Sequence, residues 1–266
     1  MSPTLKYLLG SVWSLPLLPL CYWQGKQIRR SVPRLPEAGE PSGTAPSKGE
    51  TGKLFRLLTL GESTIAGVGV ATHREGFTGA LAETLATKLN RPVAWRVYAK
   101  SGYTARQVRE KILPTITEQE AELIVIGLGG NDAFTLNRPN RWRDHVAVLI
   151  EDLQTRFPDT PILFCNMPPI KEFPAFTRAI KWTIGNLVEL LGDELDSLTQ
   201  AMPRVHYASE RISLTNWDPS SKALPVDYFC DGVHPSGTTY RTWGRKMGAL
   251  AVQQFGLTDK RPGISP

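Results

Sequence analysis

From residue 55 onward the chain alternates short apolar runs with stretches of helical spacing. The runs at 55–60, 93–98, 123–128, 161–165 and 205–207 are brief and several are β-branched, which predicts five strands. Between them, apolar residues recur at three- and four-residue intervals over 78–89, 104–113, 142–156 and 178–198, and again over 236–255, which predicts five helices. Strand-helix alternation of this length implies a mostly parallel five-stranded sheet covered by helices on both faces, an α/β fold. In open sheets of that kind ligands sit beyond the carboxyl ends of the strands.

The N-terminal pattern is different. Tyr7 to Trp23 is a run of 17 uncharged, mainly apolar residues with aromatics at both ends, at the lower limit of roughly 17 to 25 for a spanning helix. Lys6 gives little positive charge ahead of the run, and no small-x-small cleavage site follows it, so an uncleaved membrane anchor over 1–30 ranks ahead of a signal peptide. Leu20 ahead of Cys21 also speaks against a lipoprotein signal. Lys26, Arg29, Arg30 and Arg34 after the run would keep the following domain on the cytoplasmic side. Residues 31–53 are rich in Pro, Gly, Ser and Thr with few large apolar side chains, and read as a flexible linker reaching roughly 25 Å. The expected organisation is therefore an anchor over 1–30, a linker over 31–53, one main domain over 54–258 and a short tail over 259–266.

Charge refines this picture. The 266 residues carry a net charge of +6, but residues 1–53 hold seven basic groups against three acidic ones, and the remainder is nearly balanced at 24 against 22. Basicity thus belongs to the N-terminal region, and nucleic-acid binding by the main domain has little support. Cys21, Cys165 and Cys230 have no paired spacing and an odd total, so neither a disulfide framework nor a zinc site is indicated.

Four short motifs fall at predicted strand ends. Gly61-Glu62-Ser63 follows the first strand, putting a hydroxyl at or near the start of a helical segment, where unpaired backbone N–H groups gather. Simple helix capping explains that serine equally well when it is taken alone. Gly102 lies in Ser101-Gly102-Tyr103-Thr104 after the second strand, with Thr104 suited to cap the next helix. Asn131 lies in Gly129-Gly130-Asn131-Asp132 after the third, where its amide is an uncharged donor suited to an oxyanion; capping or an Asx turn is the competing reading, above all for Asp132. Asp231-Gly232-Val233-His234-Pro235 precedes the last helix, with Pro235 suited to its first position, and Asp231 can fix the tautomer of His234. His73, His145 and His206 lie in contexts that suit structural or solvated roles.

In order and placement these motifs resemble the four blocks of the SGNH, or GDSL-type, serine hydrolases, over about residues 54–255. The resemblance carries the catalytic roles onto Ser63, Asp231 and His234, and the oxyanion hole onto the N–H groups of Ser63 and Gly102 and the amide of Asn131. It implies a three-layer, flavodoxin-like α/β/α sandwich and ester hydrolysis through an acyl-serine, with no metal or organic cofactor. One departure is Glu62, where that family usually has Asp ahead of the serine.

The implied substrate is a lipid or other acyl ester. Phe173, Phe176, Trp217, Tyr228 and Phe229 stand in long irregular segments that could line an acyl pocket or cover the core. An acetyl esterase acting on an envelope glycan is the alternative within the enzyme class, and a non-catalytic binding module on the same fold is the alternative outside it.

Overall fold

The computed structural model describes residues 7, 10, 15–47, 53–214 and 224–257. Six strands form one sheet: β1 (Ser42–Ala45), β2 (Phe55–Gly61), β3 (Val93–Ala99), β4 (Leu123–Gly127), β5 (Ile162–Phe164) and β6 (Val205–Tyr207), in the order β1-β3-β2-β4-β5-β6. Strands β2 to β6 are parallel, and only β1 runs antiparallel, against β3. The five strands expected from the apolar runs are all present, and β1 is an addition.

Helices cover both faces. On one side α2 (Phe77–Leu89) packs with α7 (Gly237–Phe255) on Phe55, Leu57, Val93, Val125 and Leu163. On the other, α5 (Pro139–Arg156) and α6 (Arg178–Gln200) pack on Leu58, Leu60, Ile124, Ile126 and Phe164. Successive residues of β2 thus feed opposite cores, as the two-residue period of a strand requires. The segment expected as one helix over 104–113 starts as α3 (Ala105–Gln107), continues as a π-helical turn, Val108–Ile112, and ends in a 3₁₀ turn, Leu113–Thr115. Pro114 has no N–H to extend an α-helical ladder there. A five-residue helix, α4 (Gly130–Phe134), follows β4.

The N-terminal region overturns the membrane anchor. Among the described residues no helix is long and apolar enough to cross a membrane. Helix α1 (Leu18–Ser31) has 14 residues, and its second half carries Gln24, Lys26, Gln27, Arg29 and Arg30. It lies on the domain, with Cys21 Sγ 3.3 Å from Thr183 Oγ1 and Thr177 Oγ1 donating to Gln24 Oε1 at 2.6 Å, both partners belonging to α6 or its N-cap. Residues 1–6, 8, 9 and 11–14 of the expected anchor lie outside the described residues, as does the tail over 259–266.

Part of the stretch read as a flexible linker is also laid down on the domain. Ser42 to Ala45 pairs with Arg96 to Val93, and Gly39 bridges Thr72. The backbone supplies this attachment, which is why a composition poor in apolar side chains concealed it.

Candidate active site

Strands β2, β3 and β4 end level, because Gly61 pairs with Ala99 on one side and with Gly127 on the other. The three turns that follow them therefore meet above one edge of the sheet. Lys100 N donates to Gly61 O at 3.1 Å, tying the second turn to the first. Asn131 Nδ2 donates to Tyr103 O at 3.1 Å, tying the third to the second.

Ser63 occupies a single wound turn, in which Ala66 N donates to Glu62 O at 2.8 Å and Val68 N to Ser63 O at 3.1 Å. The expected placement at a helix start does not hold, since α2 begins only at Phe77. Gly67 and Gly69, at φ 66° and 95°, unwind the turn before a helix can form. Ser63 is partly exposed, and its hydroxyl makes no hydrogen bond to another described side chain.

Glu62 is buried and spans to the next turn. Its Oε1 accepts from Gly130 N at 2.9 Å and its Oε2 from Asn131 N at 3.0 Å, so one carboxyl caps the start of α4. Burial pushes its pKa up to about 7, against the opposing pull of those two N–H groups and with the charge of Asp132 adding to the rise. Asp132, fully buried, reaches back across the crevice: Oδ2 accepts from Ala105 N at 2.9 Å and Oδ1 from Asn137 Nδ2 at 2.8 Å. Local capping was the competing explanation for Asp132, and it does cap, but at the start of α3. Thr104 caps the same helix, with Gln107 completing the capping box.

Gly102 sits at φ 84°, a conformation that strains any residue with a Cβ, while the space around it is open. Its turn thus exposes backbone at the mouth of the crevice.

The loop before α7 holds Asp231 and His234 against each other. Asp231 Oδ2 lies 2.7 Å from His234 Nδ1, and Asp231 Oδ1 accepts from Val233 N at 2.9 Å and His234 N at 2.7 Å. The Asp231 side chain is 1% exposed and that of His234 20%. Burial alone would raise the Asp231 pKa, but the donors of His234 and Val233 outweigh it and hold the carboxyl below its ordinary value. An ionised Asp231 keeps the proton on Nδ1 and leaves Nε2 free. The cap of α7 is Ser236, accepting from Thr239 N; Pro235 stands two residues ahead of the first helical position, where it was expected, and bridges Phe229.

This loop touches the Ser63 turn. Tyr240 Oη donates to Val68 O at 3.1 Å, and Gly69 lies so close to Cys230 that a Cβ there would collide with its sulfur. Ser63, Gly102, Asn131, Asp231 and His234 are thus carried by mutually contacting turns, although no Ser63–His234 hydrogen bond is formed. The contacts made by Glu62 and Asp132 had no local signal, since they depend on which strand ends meet. Of the aromatics singled out, Phe173 and Tyr228 are buried in the core, Phe176 and Phe229 are half-buried, and Trp217 lies outside the described residues.

The family model of the GDSL-like Lipase/Acylhydrolase family matches residues 59–242, a span that includes all five of these residues. No curated protein sequence matches the chain. Among solved structures, the lipase Lip_vut3 from a goat rumen metagenome is similar at 22% identity and TM-score 0.52, over 73% of this chain and 96% of that one. Phospholipase A1 from Streptomyces albidoflavus NA297 is similar at 15% identity and TM-score 0.52, over 76% and 99%. Axe2, an acetylxylan esterase from Geobacillus stearothermophilus, is similar at 12% identity and TM-score 0.52, over 79% and 97%. At these identities the three support the fold, and the family match carries the conclusion: the chain belongs to the GDSL-like lipase/acylhydrolase family of ester-hydrolysing enzymes.

Proposed function

We propose that the chain is a serine esterase in which Ser63 is the nucleophile, His234 the general base and acid, and Asp231 the residue that orients and stabilises the imidazole. The observation that carries this reading is the Asp231–His234 contact of 2.7 Å, on a carboxyl pinned by two further backbone donors. His234 Nε2 takes the proton of Ser63 as Oγ attacks the ester carbonyl, and the oxyanion is met by the N–H groups of Ser63 and Gly102 and the amide of Asn131. One N–H of that amide is held by Tyr103 O, which sets its orientation beside the crevice. Collapse expels the alcohol, protonated by His234; water then attacks the acyl-serine by the same route and the acid leaves.

The substrate favoured is an ester with an apolar acyl group. Phe134 on α4, three residues beyond Asn131, stacks edge-on with Phe176, which is in line with Phe173 and Phe229, at centroid distances of 5.0 to 5.4 Å. This row runs from the Asn131 helix to the Asp231–His234 loop and offers apolar surface along one flank of the site.

The test is hydrolysis of p-nitrophenyl esters of increasing acyl length by the wild type, Ser63→Ala and Asn131→Ala. Ser63→Ala is expected to abolish turnover and Asn131→Ala to lower kcat by about 10² to 10³ with little change in the fold. Full activity in Ser63→Ala defeats the assignment, and a preference confined to acetate would replace the apolar acyl group with an acetyl ester.

A further inference from the structure

The residues just ahead of the sheet, outside the span of the family match, form a strap across two of the turns described above. Ala38 N donates to Ala66 O at 2.9 Å and Gly69 N to Pro36 O at 3.4 Å, which fastens the strap to the Ser63 turn. Gly39 N donates to Ala71 O at 2.9 Å, His73 N to Gly39 O at 3.0 Å and Val97 N to Pro41 O at 2.8 Å, which carries it on to β3. From the middle of this strap, Glu37 reaches the other turn. Its Oε1 accepts from Ser101 N at 2.8 Å, and its Oε2 accepts from Lys100 Nζ at 2.9 Å.

We propose that Glu37 is a positioning residue: anchored by the strap to the Ser63 turn, it holds the Lys100 to Tyr103 turn so that the Gly102 N–H stays aimed at the crevice. This rests on the reading of that N–H as an oxyanion donor. Gly102 itself cannot fix its orientation, because its φ of 84° belongs to a residue with wide backbone freedom and no side chain packs beside it. The Ser101 N–H, one peptide away, is the nearest group that can be gripped, and a carboxylate grips it more strongly than a neutral acceptor. The Lys100 ion pair contributes little by comparison, since its side chain is 53% exposed.

The full chain and its Glu37→Ala, Glu37→Gln and Lys100→Met variants test this. Glu37→Ala is expected to lower kcat at least about 10-fold with KM within about 3-fold, a fraction of the loss that follows removal of a whole oxyanion donor. Glu37→Gln, whose amide oxygen still accepts from Ser101 N, is expected to recover most of that rate, and Lys100→Met to stay within about 2-fold of wild type. Amide hydrogen exchange at Ser101 is expected to quicken at least about 10-fold in Glu37→Ala and to stay near wild type in Glu37→Gln, whether or not a given ester is turned over. Unchanged exchange, or an unchanged kcat in Glu37→Ala while Ser63→Ala is dead, overturns the role of Glu37 alone. An equal loss in Lys100→Met overturns it in favour of the ion pair. Activity surviving in Ser63→Ala would instead overturn the underlying reading.

Discussion

Glu62 is the residue in which this chain departs from the usual motif, and its extra methylene lets one carboxyl reach two consecutive N–H groups, those of Gly130 and Asn131. Glu62 thereby ties the Ser63 turn to the Asn131 turn, because the second of those groups belongs to Asn131 itself. The pKa of about 7, raised by burial and by the nearby Asp132, makes the cap sensitive to pH. A folded-state value above the ordinary carboxyl range means that the native state holds the proton more tightly than the unfolded chain. The stabilisation is then fully present below about pH 4.5 and is lost as pH rises through about 7. Against Glu62→Gln, which lacks the titration and one acceptor, the stability advantage of wild type is expected to shrink by about 2 kcal/mol between pH 5 and pH 8. Urea midpoints of the two proteins across that range check it, and an offset independent of pH would contradict it.

At the scale of elements, the loop that carries Asp231 and His234 leads directly into α7. The helix begins two residues after Pro235 and lies close against α2, with Gly244 so near Phe77 O that a methyl there would collide with it. Gly244→Ala should therefore force the helices apart and destabilise the fold by roughly 1 to 3 kcal/mol, read as a lower denaturant midpoint with an unchanged slope. Wild-type stability in that variant would show that the contact gives way easily. Helices α2, α5, α6 and α7 were legible within a few residues because each presents a sustained apolar stripe to the sheet. The segment over 104–113 is helical as expected, but its change of winding was not legible, because an α-helical ladder gives way to a π-helical and then a 3₁₀ turn as it reaches Pro114. Strand β1, Ser-Gly-Thr-Ala, carries no apolar alternation, and only the exposed edge of β3 recruits it.

For the whole molecule, the motif blocks and their strand-end placement were readable because each is local in sequence and strand-helix alternation implies parallel pairing. The reading of the N-terminal region ahead of β2 failed for the opposite reason. Hydrophobicity over Tyr7 to Trp23 suggested a bilayer, whereas α1 turns polar after Trp23 and uses Cys21 and Gln24 to dock on α6. Likewise the Pro- and Gly-rich stretch looked free because most of its attachments are backbone hydrogen bonds, which leave no trace in composition. The assembled molecule brings together the Ser63, Gly102 and Asn131 turns and the loop in which Asp231 holds His234, and the central claim is the proposal that Ser63 Oγ forms a covalent intermediate. The most direct measurement is labelling of the full chain with a fluorophosphonate followed by peptide mass spectrometry. A single adduct on Ser63, absent in His234→Ala, is the predicted result; an ester-hydrolysing chain that takes up no label, or takes it on another residue, would contradict the account.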